Sequence, residues 1–316
     1  MPGHGLPDNL RSVDISLIGA PTDVGASVVG CRLGPGALRL AGIQQSLERF
    51  GATVTDRGDL TGPTNPMAPP VDGYRHLPEV IAWNQAVHDA VYAEVSAGSM
   101  PIMLGGDHCL AIGSVGAVAR HCREQGRPLR LLWFDAHADY NTASITPSGN
   151  MHGMPVAVLT GHGPTELVEM SGAVPALVPG DVRQIGLRDV DLGEKHLLHE
   201  HRIEVFDMRY LDEVGVREAM RMALDDLEPD THVHVSLDLD FLDDTIAPGV
   251  GTPVRGGPTY REAHLCMEMV ADTGRLGSLD IVELNPALDV RSETARLAVD
   301  LVESLFGKST LLRVHR

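Results

Sequence analysis

Three strand-like runs in this chain each end in side chains of the types that bind metals. In LRLLWFDAHADYN, Asp135, His137 and Asp139 fall at alternating positions directly after Leu129–Phe134. Residues two apart in an extended backbone point to the same side, so the spacing predicts three ligand-type groups on one face. HVHVSLDLD repeats the arrangement with Asp238 and Asp240, and LGGDHC adds His108, with Asp107 as a further candidate. Taken singly, each has an ordinary explanation: an Asp at a strand end caps the next helix, and a lone His is satisfied where it sits. Three runs ending in Asp or His, two of them with i, i+2 spacing, point instead to one shared site.

The carboxylates of Asp135, Asp139, Asp238 and Asp240 with the imidazoles of His108 and His137 could hold two divalent ions, four negative charges balancing four positive ones. Oxygen donors dominate and no thiolate belongs to the set, which favours a hard first-row ion, manganese above zinc. Two such ions about 3.5–4 Å apart share a bridging water and lower its pKa, presenting hydroxide at neutral pH. The reaction expected of such a site is hydrolysis.

These residues need elements that bring strand ends together. Short β-rich runs alternate with longer helical patterns along the chain, the mark of a largely parallel sheet covered by helices. Expected strands are Asp14–Ala20, Thr53–Asp56, Met100–Leu104, Leu129–Phe134, Val182–Leu187, Glu204–Asp207, His232–Leu237 and Ser278–Val282. A helix is expected over Pro78–Ala97, where Val80, Trp83, Val87, Val91 and Val95 form one buried face and make Trp83 a core residue. The metal-binding residues then sit at the carboxyl ends of parallel strands, where open α/β sheets form their ligand crevice. Leu60–Pro70, rich in Pro and Gly, reads as an internal loop. GAPTDVG (19–25) lacks the G-x-G-x-x-G spacing of a dinucleotide site.

With 316 residues and 43% hydrophobic content, a single α/β domain over 1–316 is expected. No apolar run is long enough to span a bilayer, and MPGHGLPDNLRS lacks the pattern of a secretory signal, so a cytoplasmic protein is expected. Cys31, Cys109, Cys122 and Cys266 form no CxxC pair, which argues for buried free thiols. A formal charge of −18 repels nucleic acid and anionic lipid and suits a small cationic substrate.

The motifs GCRLGPGALRLAG (30–42), GGDHC (105–109), DAHADYNT (135–142), SGNMHGMP (148–155), SLDLDFLD (236–243), APGVGTPVRGG (247–257) and DIVELNP (280–286) together resemble the ureohydrolase family, and within it the arginase branch. They run in family order over almost the whole chain. The resemblance implies one α/β domain with an eight-stranded, mostly parallel sheet of the arginase/deacetylase kind. It also implies two Mn2+ ions per subunit held by His108, Asp135, His137, Asp139, Asp238 and Asp240. The implied reaction is hydrolysis of L-arginine to L-ornithine and urea, a hydroxide bridging the two ions attacking the guanidinium carbon. Asp139 resembles the residue that carries a proton to the leaving amine, Glu283 the carboxylate that pairs with the guanidinium, and His152 the proton shuttle to solvent.

For the far end of the substrate, Asn141, Thr146, Ser148 and Asn150 stand where the family meets an α-carboxylate, Asp191 and Glu194 where it meets an α-ammonium, and Thr252 in a further substrate-binding position. An acidic pair at a helix start is more often a cap. Three departures from the family pattern are Cys109 for serine, Asp244 for proline and Leu192 for a proline seen in some relatives. The competing expectations are a ureohydrolase for agmatine or 4-guanidinobutyrate, a metal-dependent deacetylase, and a silent regulator; the last would have lost ligands that are all present. The resemblance further implies a homotrimer or homohexamer, with the tail STLLRVHR as a candidate contact.

Overall fold

A computed structural model describes residues 13–308. The opening segment MPGHGLPDNLRS and the tail STLLRVHR lie outside the described residues. The described residues form eight strands: β1 (Asp14–Ala20), β2 (Thr53–Asp59), β3 (Met100–Gly105), β4 (Leu129–Phe134), β5 (Val182–Ile185), β6 (Glu204–Phe206), β7 (His232–Asp238) and β8 (Leu276–Val282). They make one sheet in the order β2-β1-β3-β8-β7-β4-β5-β6, and every pairing is parallel. The eight expected strands are therefore present, and the sheet is wholly rather than mostly parallel. Asp14–Ala20 and Leu129–Phe134 match at both ends, and the other six differ at one end by one to three residues. β2 runs on to Asp59 because the ladder with β1 resumes after an irregularity, although DRGD reads as a polar stop.

Side-chain alternation sorts the sheet into two cores. Ile15, Leu17, Ile102, Leu104, Leu132 and Phe134 face one, covered by helices that include Tyr260–Thr273 and Glu293–Leu305. Ile18, Met103, Leu131 and Trp133 face the other, under Leu77–Ser96 and Ala111–Gln125. Central strands buried on both faces read as apolar runs, unbroken in Met100–Leu104 and interrupted only by Arg130 in Leu129–Phe134. The helix expected at Pro78–Ala97 spans Leu77–Ser96 with Val80, Trp83, Val87, Val91 and Val95 inward; Trp83 donates to the Pro63 carbonyl (2.8 Å) and packs against the Leu60–Pro70 loop.

β7 breaks the rule. Val233, Val235 and Leu237 enter the first core, while His232, His234, Ser236 and Asp238 occupy the opposite face, all buried. Next to them β8 places Ser278 and Asp280, also buried. Among the described residues no helix is long and apolar enough to cross a membrane, and all four cysteines are free and buried.

Candidate active site

Four adjacent strands, β3, β8, β7 and β4, deliver the site at their carboxyl ends. After β3 the chain turns through Gly106, where a Cβ would meet the Thr22 carbonyl oxygen at 1.7 Å, so only glycine permits the approach. That turn presents His108. Its ring stacks on Trp133 with centroids 3.9 Å apart, and its Nε2 lies 2.9 Å from Ser236 Oγ. Nδ1 then faces Asp135 Oδ2 (3.1 Å), Asp139 Oδ2 (3.2 Å) and Asp238 Oδ2 (3.1 Å).

Asp135 serves two groups at once. Oδ2 meets His108 and accepts from Trp133 Nε1 (2.9 Å); Oδ1 lies 3.4 Å from His137 Nδ1, which is also 3.0 Å from Asp240 Oδ2. Two sets able to hold an ion result, His108–Asp135–Asp238 and Asp135–His137–Asp240, joined through Asp135. The extended-backbone expectation for these ligands fails. β4 stops at Phe134, Asp139 adopts φ 50, and Asp240 belongs to a 3-10 turn over Leu239–Phe241. The side chains converge because the chain curls around the site, where a strand would have carried Asp139 away. Arg188 holds that curl by donating to the carbonyls of Asp240 (2.7 Å), Phe241 (3.0 Å) and Leu242 (3.0 Å).

The electrostatics call for cations. Burial and neighbouring carboxylates push Asp139 and Asp238 well above the carboxylate range, and burial raises Asp240 as well. Burial opposes ionisation of Asp135 too, but His108 and His137 hold it below the usual range. Buried His108 Nδ1 stands 3.1–3.2 Å from three carboxylate oxygens, yet none of them forms a well-aligned hydrogen bond with it. An orphaned imidazole nitrogen among mutually repelling carboxylates fits a pair of divalent ions. Asp107 stays outside: its oxygens accept from Gly25 N (2.8 Å) and Cys109 N (3.0 Å). The Cys109 thiol is buried and pushed well up by that burial, which makes it inert.

Beside these candidate ligands lie Glu283 and His152. Glu283 adopts φ 61 and is buried; Oε1 accepts from His108 N (2.8 Å) and meets His152 Nδ1 (2.9 Å). Left-handed backbone at a non-glycine residue costs about 1–3 kcal/mol, and both Asp139 and Glu283 carry it. Burial works against charge on the pair, yet the carboxylate raises the His152 pKa and the imidazole lowers that of Glu283.

A cleft of about 190 Å³ opens above the ligands. Asn141, Thr146, Ser148, Asn150, Asp191, Glu194 and Thr252 all line it, with Asp189, which sequence reasoning missed. Their commitments differ. Asn141 Nδ2 donates to Asp191 Oδ2 (3.1 Å), and Asn141 Oδ1 is buried without a partner. Thr252 donates to Asp240 Oδ2 (3.0 Å). Glu194 spends both oxygens on backbone, Oε1 on Tyr140 N (2.9 Å) and Oε2 on Asp191 N (2.9 Å), so it acts first as the cap of Leu192–His201. Burial raises its pKa to about 7. Trp133, Ser236 and Arg188 were also missed. Trp133 and Ser236 had a signal, each lying two residues before a ligand and so on its face; Arg188 had none.

The family model described as the arginase family matches residues 13–307. An arginase of Brucella suis is 44% identical over 299 residues, 94% of this chain and 97% of the relative; one of Agrobacterium fabrum is 43% identical over 313 residues, 98% and 95% of the two chains. The native structure of the arginase from Bacillus caldovelox superposes with a TM-score of 0.88 at 40% identity, covering 95% of this chain and 100% of that one.

Proposed function

The chain belongs to the arginase family, and from that membership we propose that it hydrolyses L-arginine to L-ornithine and urea with two Mn2+ ions bound by His108, Asp135, His137, Asp139, Asp238 and Asp240. The observation that carries the reading is the single carboxylate, Asp135, shared between two donor groups on the floor of a polar cleft. Bound there, the ions would supply hydroxide at neutral pH by acidifying a water held between them.

The protein's own groups do the rest. Glu283 is the carboxylate to pair with the planar guanidinium. Hydroxide supplied there would add to the guanidinium carbon, the bond from that carbon to the chain nitrogen would break, and the hydroxide's own proton would pass to the leaving amine. Asp139, beside His108 and open to the cleft, carries that proton. His152, half-buried between Glu283 and the cleft, exchanges protons with solvent. Asn141, Thr146, Ser148 and Asn150 give the cleft a neutral hydrogen-bonding wall suited to an α-carboxylate, and Thr252 holds Asp240. Asp191 faces the α-ammonium, with Asp189 adding charge and Glu194 fixing the loop. The chain acts in the cytoplasm as a homotrimer or homohexamer, and its acidity of −18 favours a cationic substrate over nucleic acid or membrane.

The test is urea release by chelator-stripped, manganese-reloaded protein with L-arginine, agmatine and 4-guanidinobutyrate side by side. Metal-dependent preference for L-arginine is expected. Preference for either other compound overturns the substrate, and no urea from any of them overturns the reaction.

A further inference from the structure

The motif GCRLGPG has no part in the chemistry described so far, yet it lies against the back of Glu283. Three contacts press the two segments together. Asn285 Nδ2 donates to the Val29 carbonyl (3.1 Å). Gly30 adopts φ 130, and a Cβ there would meet Asn285 Oδ1 at 2.2 Å. Gly34 passes Leu284 so closely that a Cβ would stand 3.0 Å from its carbonyl oxygen. Between these contacts Cys31, fully buried, points its thiol at Glu283 Oε2, with Sγ to Oε2 at 3.2 Å.

The donors on Glu283 are unevenly divided. Oε1 has two, His108 N–H and His152 Nδ1, while for Oε2 the thiol is the donor among the described residues. We infer that Cys31 is a positioning residue for Glu283: its thiol, backed by the GCRLGPG clamp, fixes the carboxylate plane that receives the substrate guanidinium. This rests on the guanidinium-binding reading of Glu283. The chemistry suits the task, because a thiol is a weak donor and steers Oε2 without quenching its charge, while burial pushes the Cys31 pKa up and keeps the proton on sulfur. A bidentate guanidinium pair depends on the plane of the carboxylate, so a loosened plane weakens binding more than it slows the chemical step.

The experiment compares Cys31→Val, which keeps the packing without a donor, with Cys31→Ser, which keeps a donor in nearly the same volume. Three readouts are taken on manganese-loaded protein: KM and kcat for urea release from L-arginine, calorimetric binding of the guanidinium ion, and thermal unfolding. Cys31→Val is expected to raise KM and the guanidinium dissociation constant together by about 3- to 10-fold, with kcat within about twofold. Cys31→Ser should return both constants close to wild type. Wild-type behaviour in Cys31→Val, or equal impairment in both variants, overturns the proposal by making the contact mere packing. If wild-type protein releases no urea, the proposed function fails separately. Guanidinium binding still decides the role of Cys31 in that case, and its absence from wild type overturns the proposal as well.

Discussion

Strand β7 carries buried polar side chains along one whole face, and its two ends treat them in opposite ways. At the amino end His232 Nε2 meets Ser278 Oγ (2.8 Å), which also meets His234 Nδ1 (2.7 Å). His234 Nε2 lies 3.1 Å from Asp280 Oδ2, and Ser114 donates to the other Asp280 oxygen. Both nitrogens of His234 are therefore used inside the fold. At the carboxyl end Asp238 meets the field of Asp135 and Asp139 and lies 3.1 Å from a His108 nitrogen that no neighbour engages in a well-aligned hydrogen bond. Burial and polarity are common to both ends. What separates a structural network from a site is whether its hydrogen-bonding valences close among themselves or are left waiting for something from outside.

The sharpest way to break this contrast is to alter each end in turn. Asp135→Ala, which removes the carboxylate shared by both donor sets, should cost on the order of 10³-fold in urea release and most of the bound manganese, while unfolding stays cooperative. Full activity in that variant would sink the metal assignment. At the other end His234→Ala leaves Asp280 buried without its imidazole, so denaturant unfolding should show a loss of about 3–5 kcal/mol, with metal content and KM of the folded protein within about twofold. Metal loss without destabilisation would erase the division between the ends.

The smallest effect is a pH dependence. Burial, with His234, Arg127 and His121 nearby, lowers the His232 pKa from 6.5 to about 3. The native state thus binds fewer protons than the unfolded chain between those values. The stability this residue contributes is complete above pH 6.5 and declines as pH falls toward 3, by at most about 1.4 kcal/mol per pH unit. Unfolding midpoints measured from pH 7 to pH 4 should fall less steeply in His232→Gln than in wild type; identical slopes would show that His232 does not titrate as its burial demands.

The amino end of β7 also shows where reading residues in order loses its grip. HVHVSLDLD alternates apolar and polar residues as a strand with one wet face does, yet every residue from His232 to Asp238 is buried. Alternation reports which side chains share a face, and what covers that face comes from the distant helix Ala111–Gln125. The candidate ligands were legible because each lies at or just after the carboxyl end of a strand-like run; five of the six fall in the two groups able to hold an ion, and Asp139 stands beside them, 3.2 Å from His108 Nδ1. Asp107 read as a possible ligand for the same reason and proved to be a cap, since the backbone amides of Gly25 and Cys109 reached it first.

Taken alone, the order of amino acids determined the eight strands, their parallel arrangement, the candidate metal-binding residues and the family. The strands follow from local periodicity and the candidate site from the habit of parallel sheets to gather strand ends at one edge, while the family rests on motifs such as DAHADYNT and SLDLDFLD. Tertiary structure decided which carboxylate is shared, that Asp139 and Glu283 stand in left-handed backbone, that Glu194 is spent on capping, and that Cys31 reaches Glu283 across 252 positions of sequence. The physical reason is that a donor or acceptor is defined by its nearest partner in space, and for a buried side chain that partner is supplied by whatever segment packs against it.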